Sequence, residues 1–600
     1  TVGSQASRQQ ICLRFLKVDR DSNYAILGIY TVMSHTQTGC AFFKIGLTPQ
    51  VGYGNIGKKD AQTGAVVAGA VYDIYTNEAC TVRATDSSGA TASFTTQTGY
   101  PYSNTVTMSP GTYYVKETSV PEGYALDPAV KRLVITAGQT SWAADTGDSS
   151  GWVYDNELIH LSVQKTSAGE TITDQNPCYS LEGAVYGVYA SSEDAKNDAN
   201  RLSTLTTDAS GGTEEVLLDA GRYYIREITA SPGYNLCRGD GDDADADGIH
   251  VVDAAEWGES YTVTCREVPL AQSFAFSILK RDRDSGKQEA AGTASLAGAI
   301  FQVAYYPNTA GSASGEPARR WYYRTGEDGT VSCCGEDNLL DSAVLSDGTV
   351  LKSDGLYTDS LTNETVFPLG TYVITELQAP LYYQLPGYIS FYSPLTEGST
   401  AASRTMILKE ENDAVSVYGS VGSSYQECSP DAVSVNVFDW VRKGSITVTK
   451  YDEKGEPLAG VTYLLKGLTT GEEHERTTGA DGKAVWTDLI PQTYELSEIQ
   501  TVQGKTLLAD KIRLTLPMEV TKSTENYESY DLSGAVWDPV AEAWCFYDLT
   551  CEVKDHISFI LPDTGEVAGR QAAAVALALL LSAAAVVFVC LVRRRLKRIL

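Results

Sequence analysis

Histidine is scarce in this chain, and the five present, His35, His160, His250, His474 and His556, are scattered without metal-ligand spacing. A phosphate-binding glycine loop, a Gly-x-Ser-x-Gly elbow and a local Cys/His arrangement are missing too. With them go the usual sequence marks of nucleotide-dependent, serine and cysteine catalysis. No cofactor is called for, and the chain reads as a non-enzyme. Positive charge is in deficit, with 46 Lys and Arg against 76 Asp and Glu and a net charge of −30. That balance excludes nucleic acid and anionic membrane surfaces as partners for the bulk of the chain. No long helical period occurs, and there is only one long apolar run. The chain opens at Thr1 with neither Met nor an apolar leader, so it reads as a fragment or a processed form. At 600 residues it is too long for one core and suggests about four domains of ordinary size.

The single apolar run, from Ala572 to Val592, carries no charge and as a helix would be about 31 Å long, enough to cross a bilayer core. Arg593, Arg594, Arg595, Lys597 and Arg598 follow it, and a basic cluster flanking a span stays on the cytoplasmic side. Leu561, Pro562, Asp563, Thr564 and Gly565 precede it as LPDTG. Motif, span and basic tail in this order resemble the sorting signal of sortase substrates in Gram-positive bacteria. The resemblance implies a membrane-inserted precursor, cleavage between Thr564 and Gly565, and transfer of the Thr564 acyl group to peptidoglycan or to a pilin subunit. Residues before Leu561 would then be extracellular.

The interior repeats itself, with four elements recurring in one order. The first is an alternating strand ending in lysine: Leu161, Val163 and Lys165; Phe276, Ile278 and Lys280; Ile446, Val448 and Lys450; and, continuing the pattern, Ile56 and Lys58. The second begins with glycine, at Gly69 to Tyr72, Gly183 to Tyr186, Gly298 to Phe301 and Gly460 to Tyr463. The third ends in glutamate, placing Tyr113, Val115 and Glu117 in phase, then Tyr223, Ile225 and Glu227, Tyr372, Ile374 and Glu376, and Tyr494, Leu496 and Glu498. The fourth closes each repeat, with Trp152, Tyr154 and Asn156 in phase, then Val435, Val437 and Asp439, and Cys551, Val553 and Asp555. The second copy ends instead in Tyr261, Val263, Cys265 and Glu267. Turn signals such as Asp208 to Gly211 and Asp481-Gly482 separate these strands.

The expected fold is therefore all-β, a string of antiparallel β-sandwiches followed by one C-terminal transmembrane helix. The repeats span 51–157, 158–268, 269–440 (with insertions) and 441–557. Residues 558–600 form the sorting signal, span and tail. Residues 1–50 are unassigned, since Lys17-Val18-Asp19 fits either a degenerate copy or the tail of a truncated N-terminal domain.

A lysine and a glutamate on a buried face, copy after copy, are costly unless each compensates the other. The Lys strand, the Gly-Ala strand, the Tyr-x-x-x-Glu box and the closing Asn or Asp resemble the B-type, prealbumin-like repeats of collagen-binding adhesins and SpaA-like pilins. In that family the lysine amine attacks the side-chain carbonyl of Asn or Asp, a buried Glu assists, and an intramolecular isopeptide bond forms once without turnover. Burial fits such chemistry, because it disfavours the charged forms of both amine and carboxyl. The resemblance implies Lys58 with Glu117 and Asn156, Lys280 with Glu376 and Asp439, and Lys450 with Glu498 and Asp555. In the third repeat Asn436 competes, but it is out of phase with Val435 and Val437. In the second repeat Lys165 and Glu227 face Glu267 or Cys265 where the family has Asn or Asp, so Lys165 is expected to stay unlinked.

Asp243, Asp245, Asp247 and Gly248 match the first half of a calcium loop, but Ala254 replaces the closing Glu, which favours an acidic solvated loop. Arg238-Gly239-Asp240 is an integrin-type tripeptide that often arises by chance. Among the 12 cysteines, Cys12 with Cys40, Cys178 with Cys237, and Cys545 with Cys551 are candidate disulfides. The reading that unites these features is a wall-anchored adhesin or minor pilin with a stalk of crosslinked repeats. The alternatives are a polymerising major pilin, for which no YPK-type motif is found, or the stalk of a larger surface enzyme.

Overall fold

The computed structural model describes residues 10–19, 24–33, 36–46, 50–100, 102–143, 151–237, 246–273, 275–333, 337–391, 401–429 and 432–555. The LPDTG motif, the apolar run, the basic tail and Arg238-Gly239-Asp240 lie outside them. Among the described residues no helix is long and apolar enough to cross a membrane. The chain is all-β, and the described helices are short, such as Glu170–Thr173 and Ser192–Asn197.

Gln10–Asp19, Tyr24–Met33 and Thr36–Gly46 pair in this order as an antiparallel three-stranded sheet. Cys12 pairs with Tyr30, and Tyr30 in turn with Cys40. The two cysteines therefore sit two strands, or about 9.6 Å, apart, too far for a disulfide. The other two candidate disulfides are also absent, since Cys178, Cys545 and Cys551 are free thiols.

From residue 52 onward each sheet is built from strands of one repeat. Alternating apolar residues bury one face of each strand, as in Ile159–Ser167, where Ile159, Leu161 and Val163 are core residues and the residues between are partly exposed. Four buried threonines mark the repeats as copies of one design. Thr96, Thr207, Thr325 and Thr478 accept from the backbone N–H of Ala70, Ala184, Ala299 and Val461 at 2.9, 2.9, 2.9 and 3.0 Å. Each side chain thereby anchors the start of a Gly-initiated strand whose buried N–H would otherwise lack a partner.

The sheets depart from the expected antiparallel pattern at one ladder shared by every repeat, and in the first repeat at a second, where Thr140–Trp142 runs parallel to Gly52–Asn55. The closing strand runs parallel to the opening strand, as Trp152–Asp155 does beside Gly57–Asp60 and Asp548–Lys554 beside Gly444–Tyr451. The same holds for Ile159–Ser167 with Ser260–Glu267 and for Ala275–Asp282 with Ala432–Val441. Parallel pairing needs a long crossover, and the whole repeat serves as one. The consequence is that the first and last strands of every repeat lie side by side.

The cores are separate clusters of buried side chains, one around Tyr72, Phe94 and Leu133 and another around Tyr463, Trp486 and Leu496. The third repeat's core extends into the second through Ile172, Tyr179 and Tyr234. Its largest sheet also carries two added strands, Ala414–Val421 and Ser424–Cys428.

Candidate functional site

The parallel ladder sets the geometry of the site. Lys58 pairs with Val153, Lys165 with Cys265, Lys280 with Val437 and Lys450 with Val553. Two residues beyond each partner, on the same inward face, stand Asp155, Glu267, Asp439 and Asp555, all buried. A turn glycine clamps the lysine backbone in three repeats: the N–H of Lys165, Lys280 and Lys450 donates to the carbonyl of Gly211, Gly329 and Gly482 at 2.7, 2.8 and 2.8 Å. These glycines have φ of 81°, 73° and 72°. A side chain there would be strained, and at Gly211 and Gly482 its Cβ would also crowd the lysine carbonyl.

The glutamates arrive from the neighbouring sheet through a shared irregularity. The ladder shifts register just before Tyr72, Tyr186, Phe301 and Tyr463, which then pair with Glu117, Glu227, Glu376 and Glu498. This recurring bulge turns each glutamate onto its lysine. Lys58 is paired with Glu117 and Lys280 with Glu376, while Lys165 meets Glu227 and Lys450 meets Glu498 at 2.9 Å each. The lysine side chains are at most 1 % exposed. In the first two repeats the second glutamate oxygen accepts a backbone N–H from the loop that follows, Asp127 at 2.9 Å and Cys237 at 2.8 Å.

Aspartate carboxylates complete the cluster in three repeats. Asp439 lies 2.5 Å from Lys280 Nζ and Asp555 lies 3.7 Å from Lys450 Nζ. In the first repeat the residue against Lys58 is Asp155 and not Asn156. Asn156 points outward, where its side-chain oxygen accepts from Gln62 Nε2 at 2.9 Å. The sequence reading put Trp152 and Tyr154 inward. In the structure Trp152 lies on the outer side, where Tyr102 stacks on it at 5.1 Å and Lys59 Nζ sits 4.2 Å from its ring centroid. The aromatic residue is sheltered without entering the core. Asn436 of the third repeat also faces away, accepting from Arg281 Nε at 2.7 Å.

The second repeat differs. Glu267 occupies the acceptor register, but its Oε1 accepts from the Tyr186 hydroxyl at 3.1 Å. Lys165 Nζ stays on Glu227 and lies 4.9 Å from the Tyr234 ring centroid. Cys265, the other candidate, is buried beside the lysine backbone.

Burial shapes the chemistry of these groups. It pushes the Asp155 carboxyl up to about 6 against the pull of Lys58, and it raises Glu227 above the ordinary carboxylate range. Burial, with Asp439 nearby, holds Glu376 well above it. A raised pKa makes the protonated, proton-donating form of a carboxyl easier to populate. The tyrosines opposite the glutamates were missed by the sequence reading, although their fixed position three residues after the glycine was a usable signal. Lys58 Nζ donates to Tyr72 Oη at 3.1 Å.

Of the calcium candidates, Asp247 is ion-paired with Lys196 at 2.8 Å, while Asp243 and Asp245 lie outside the described residues. Among the described residues no cluster of three His, Cys, Asp or Glu side chains could hold a metal ion.

Comparison with known proteins bears on the repeats directly. Three segments, residues 52–148, 170–239 and 444–528, match the SpaA prealbumin-like fold domain. They fall in the first, second and fourth repeats, and each stops short of the closing strand that carries the acceptor. No curated protein matches. Among solved structures, the Bacillus anthracis TIE protein is similar at 14 % identity and a TM-score of 0.35, over 92 % of this chain and 76 % of that one. BcpA, the major pilin subunit of Bacillus cereus, is similar at 14 % and 0.23, over 67 % and 100 %. A C-terminal fragment of the pilus adhesin SpaC from Lactobacillus rhamnosus GG gives 16 % and 0.24, over 48 % and 100 %.

Proposed function

We propose that this chain is the stalk of a Gram-positive surface adhesin or minor pilin, with its first, third and fourth repeats each closed by an isopeptide bond. The observation that carries the reading is the buried Lys, Glu and Asp cluster met at one register in all three, Lys58 with Glu117 and Asp155, Lys280 with Glu376 and Asp439, and Lys450 with Glu498 and Asp555. In each, the lysine amine attacks the Asp Cγ carbon while the glutamate relays the proton that the amine gives up to the departing oxygen. An N–C bond forms, a C–O bond breaks and water leaves. Replacing Asn156 by Asp155 as acceptor changes the first leaving group from ammonia to water. The second repeat stays open, because its acceptor is a glutamate held on Tyr186.

The crosslink joins the first and last strands, so tension along the chain runs through covalent bonds instead of the hydrogen-bond ladder. LPDTG, the apolar run and the basic tail support sortase-mediated attachment to peptidoglycan or to a pilin subunit, outside the cell. The test is the intact mass of the full chain with peptide mapping. Three bonds lower the mass by about 54 Da, one water each. An unmodified mass would reduce the clusters to buried ion pairs.

A further inference from the structure

Where the third and fourth repeats meet, a cavity of about 260 Å³ opens between Leu385, Trp537, Arg442 and Tyr547. It belongs to neither crosslinking cluster. The Tyr547 side chain is 9 % exposed, and its hydroxyl has no hydrogen-bond partner. An unpartnered buried hydroxyl is costly, and native structures leave few of them. Burial also raises the phenol well above its ordinary range, which keeps it a proton donor. Arg442, half-buried beside it, has no ion pair or side-chain hydrogen bond among the described residues, although its charge is felt at Tyr547 and Cys545.

Both carboxylates lining the cavity accept from backbone N–H groups. Asp538 Oδ1 accepts from the N–H of Val540 and Ala541 at 2.9 and 3.0 Å, and its Oδ2 from the N–H of Tyr382 at 2.9 Å. Asp347 is exposed at the rim, where it accepts from the Thr349 N–H at 2.9 Å. The cavity therefore offers two unused donors, one of them cationic, beside the apolar faces of Leu385 and Trp537, which are 41 % and 37 % exposed. We propose that this cavity binds a terminal carboxylate carried on an apolar body, such as the C-terminal residue of a peptide. The carboxylate would take the Arg442 guanidinium and the Tyr547 hydroxyl, and the apolar side chain would lie against Trp537.

The test uses the full chain with N-acetyl-L-leucine and N-acetyl-L-leucinamide as probes, followed by calorimetry and saturation-transfer NMR. The acid should bind at least about tenfold more tightly than the amide, since a charge-assisted hydrogen bond is roughly twice as strong as a neutral one. Arg442→Gln should remove that preference. Tyr547→Phe should weaken the acid severalfold while leaving the melting temperature of the unliganded chain equal or higher, because it deletes an oxygen that has no partner. Equal binding of acid and amide, no binding of either at millimolar concentration, or a Tyr547→Phe chain that binds unchanged would each overturn the proposal.

Discussion

Asp155 and Asn156 are adjacent, and both are plausible acceptors by residue type, so exchanging them singly tests the geometry of the first repeat. Asp155→Ala should remove the crosslink and Asn156→Ala should not, because only Asp155 touches Lys58 while Asn156 is bonded to Gln62 on the outer side. The lost bond closes a loop of roughly 100 residues, worth about 4.7 kcal/mol in the chain-entropy account. For a domain of this size 1 kcal/mol moves the melting temperature by roughly 4–8 °C, so the first repeat should melt about 20–40 °C lower if it unfolds independently. Asp155→Ala also strips a partner from a buried lysine, which adds to the loss. Glu117→Gln keeps the shape and removes the proton donor while leaving Asp155 against Lys58, and like Asp155→Ala it takes one charged partner from that lysine. In mass spectrometry Asp155→Ala and Glu117→Gln should each lack one dehydration of about 18 Da, whereas Asn156→Ala should retain it. Retained dehydration in Asp155→Ala, or its loss in Asn156→Ala, would show that the register argument is wrong.

Gly387→Ala should block closure of the third repeat, because the new Cβ would collide with Asp439 Oδ1 and lie 2.9 Å from Glu376 Oε2. Peptide mapping should then find Lys280 unlinked. Under force the second repeat should open first, releasing roughly 350 Å of chain in single-molecule pulling, since about 109 residues can extend by ~3.3 Å each. A trace in which no repeat lengthens, or a mapped Lys165 to Glu267 peptide, would contradict this. Glu227 has a raised pKa in the folded state, so the stability it contributes is complete below its unfolded pKa of about 4.3 and is lost as pH rises through the folded value. Melting of the second repeat should therefore decline as pH climbs above about 4, and Glu227→Gln should flatten that slope. Thr564→Ala should leave the chain in the membrane fraction of its host; equal release of mutant and parent by muramidase would count against sorting.

Much of this architecture was legible as residue pattern. Lys165, Lys280 and Lys450 each end an alternating apolar run, and Glu227, Glu376 and Glu498 do the same one sheet away. Period-two alternation places such residues inward when every neighbour in phase is unambiguously apolar. At Val433, Val435, Val437 and Asp439 that condition holds, and all four are buried on the face where the pattern put them. In the closing strand of the first repeat it fails. Trp152, Val153 and Tyr154 are all compatible with burial, and alternation says only that neighbours face opposite ways, not which face is the core.

What the sequence determined by itself is the all-β class, the existence of the repeats, and the recurrence of a buried lysine and glutamate in each. Those follow from local spacing and the cost of burying charge. What only the tertiary structure decided is which residue faces Lys58 and what holds Glu267 beside Lys165. The parallel pairing of first and last strands, 153 − 58 = 95 residues apart in the first repeat and 437 − 280 = 157 in the third, sets the inward carboxylate two positions beyond the lysine's neighbour. The shared bulge brings a tyrosine or phenylalanine opposite each glutamate. The same register also shows that Glu267 stands in the acceptor position yet is held by Tyr186. Pairings between strands so distant in sequence depend on the packing of the whole repeat, and no local period encodes them.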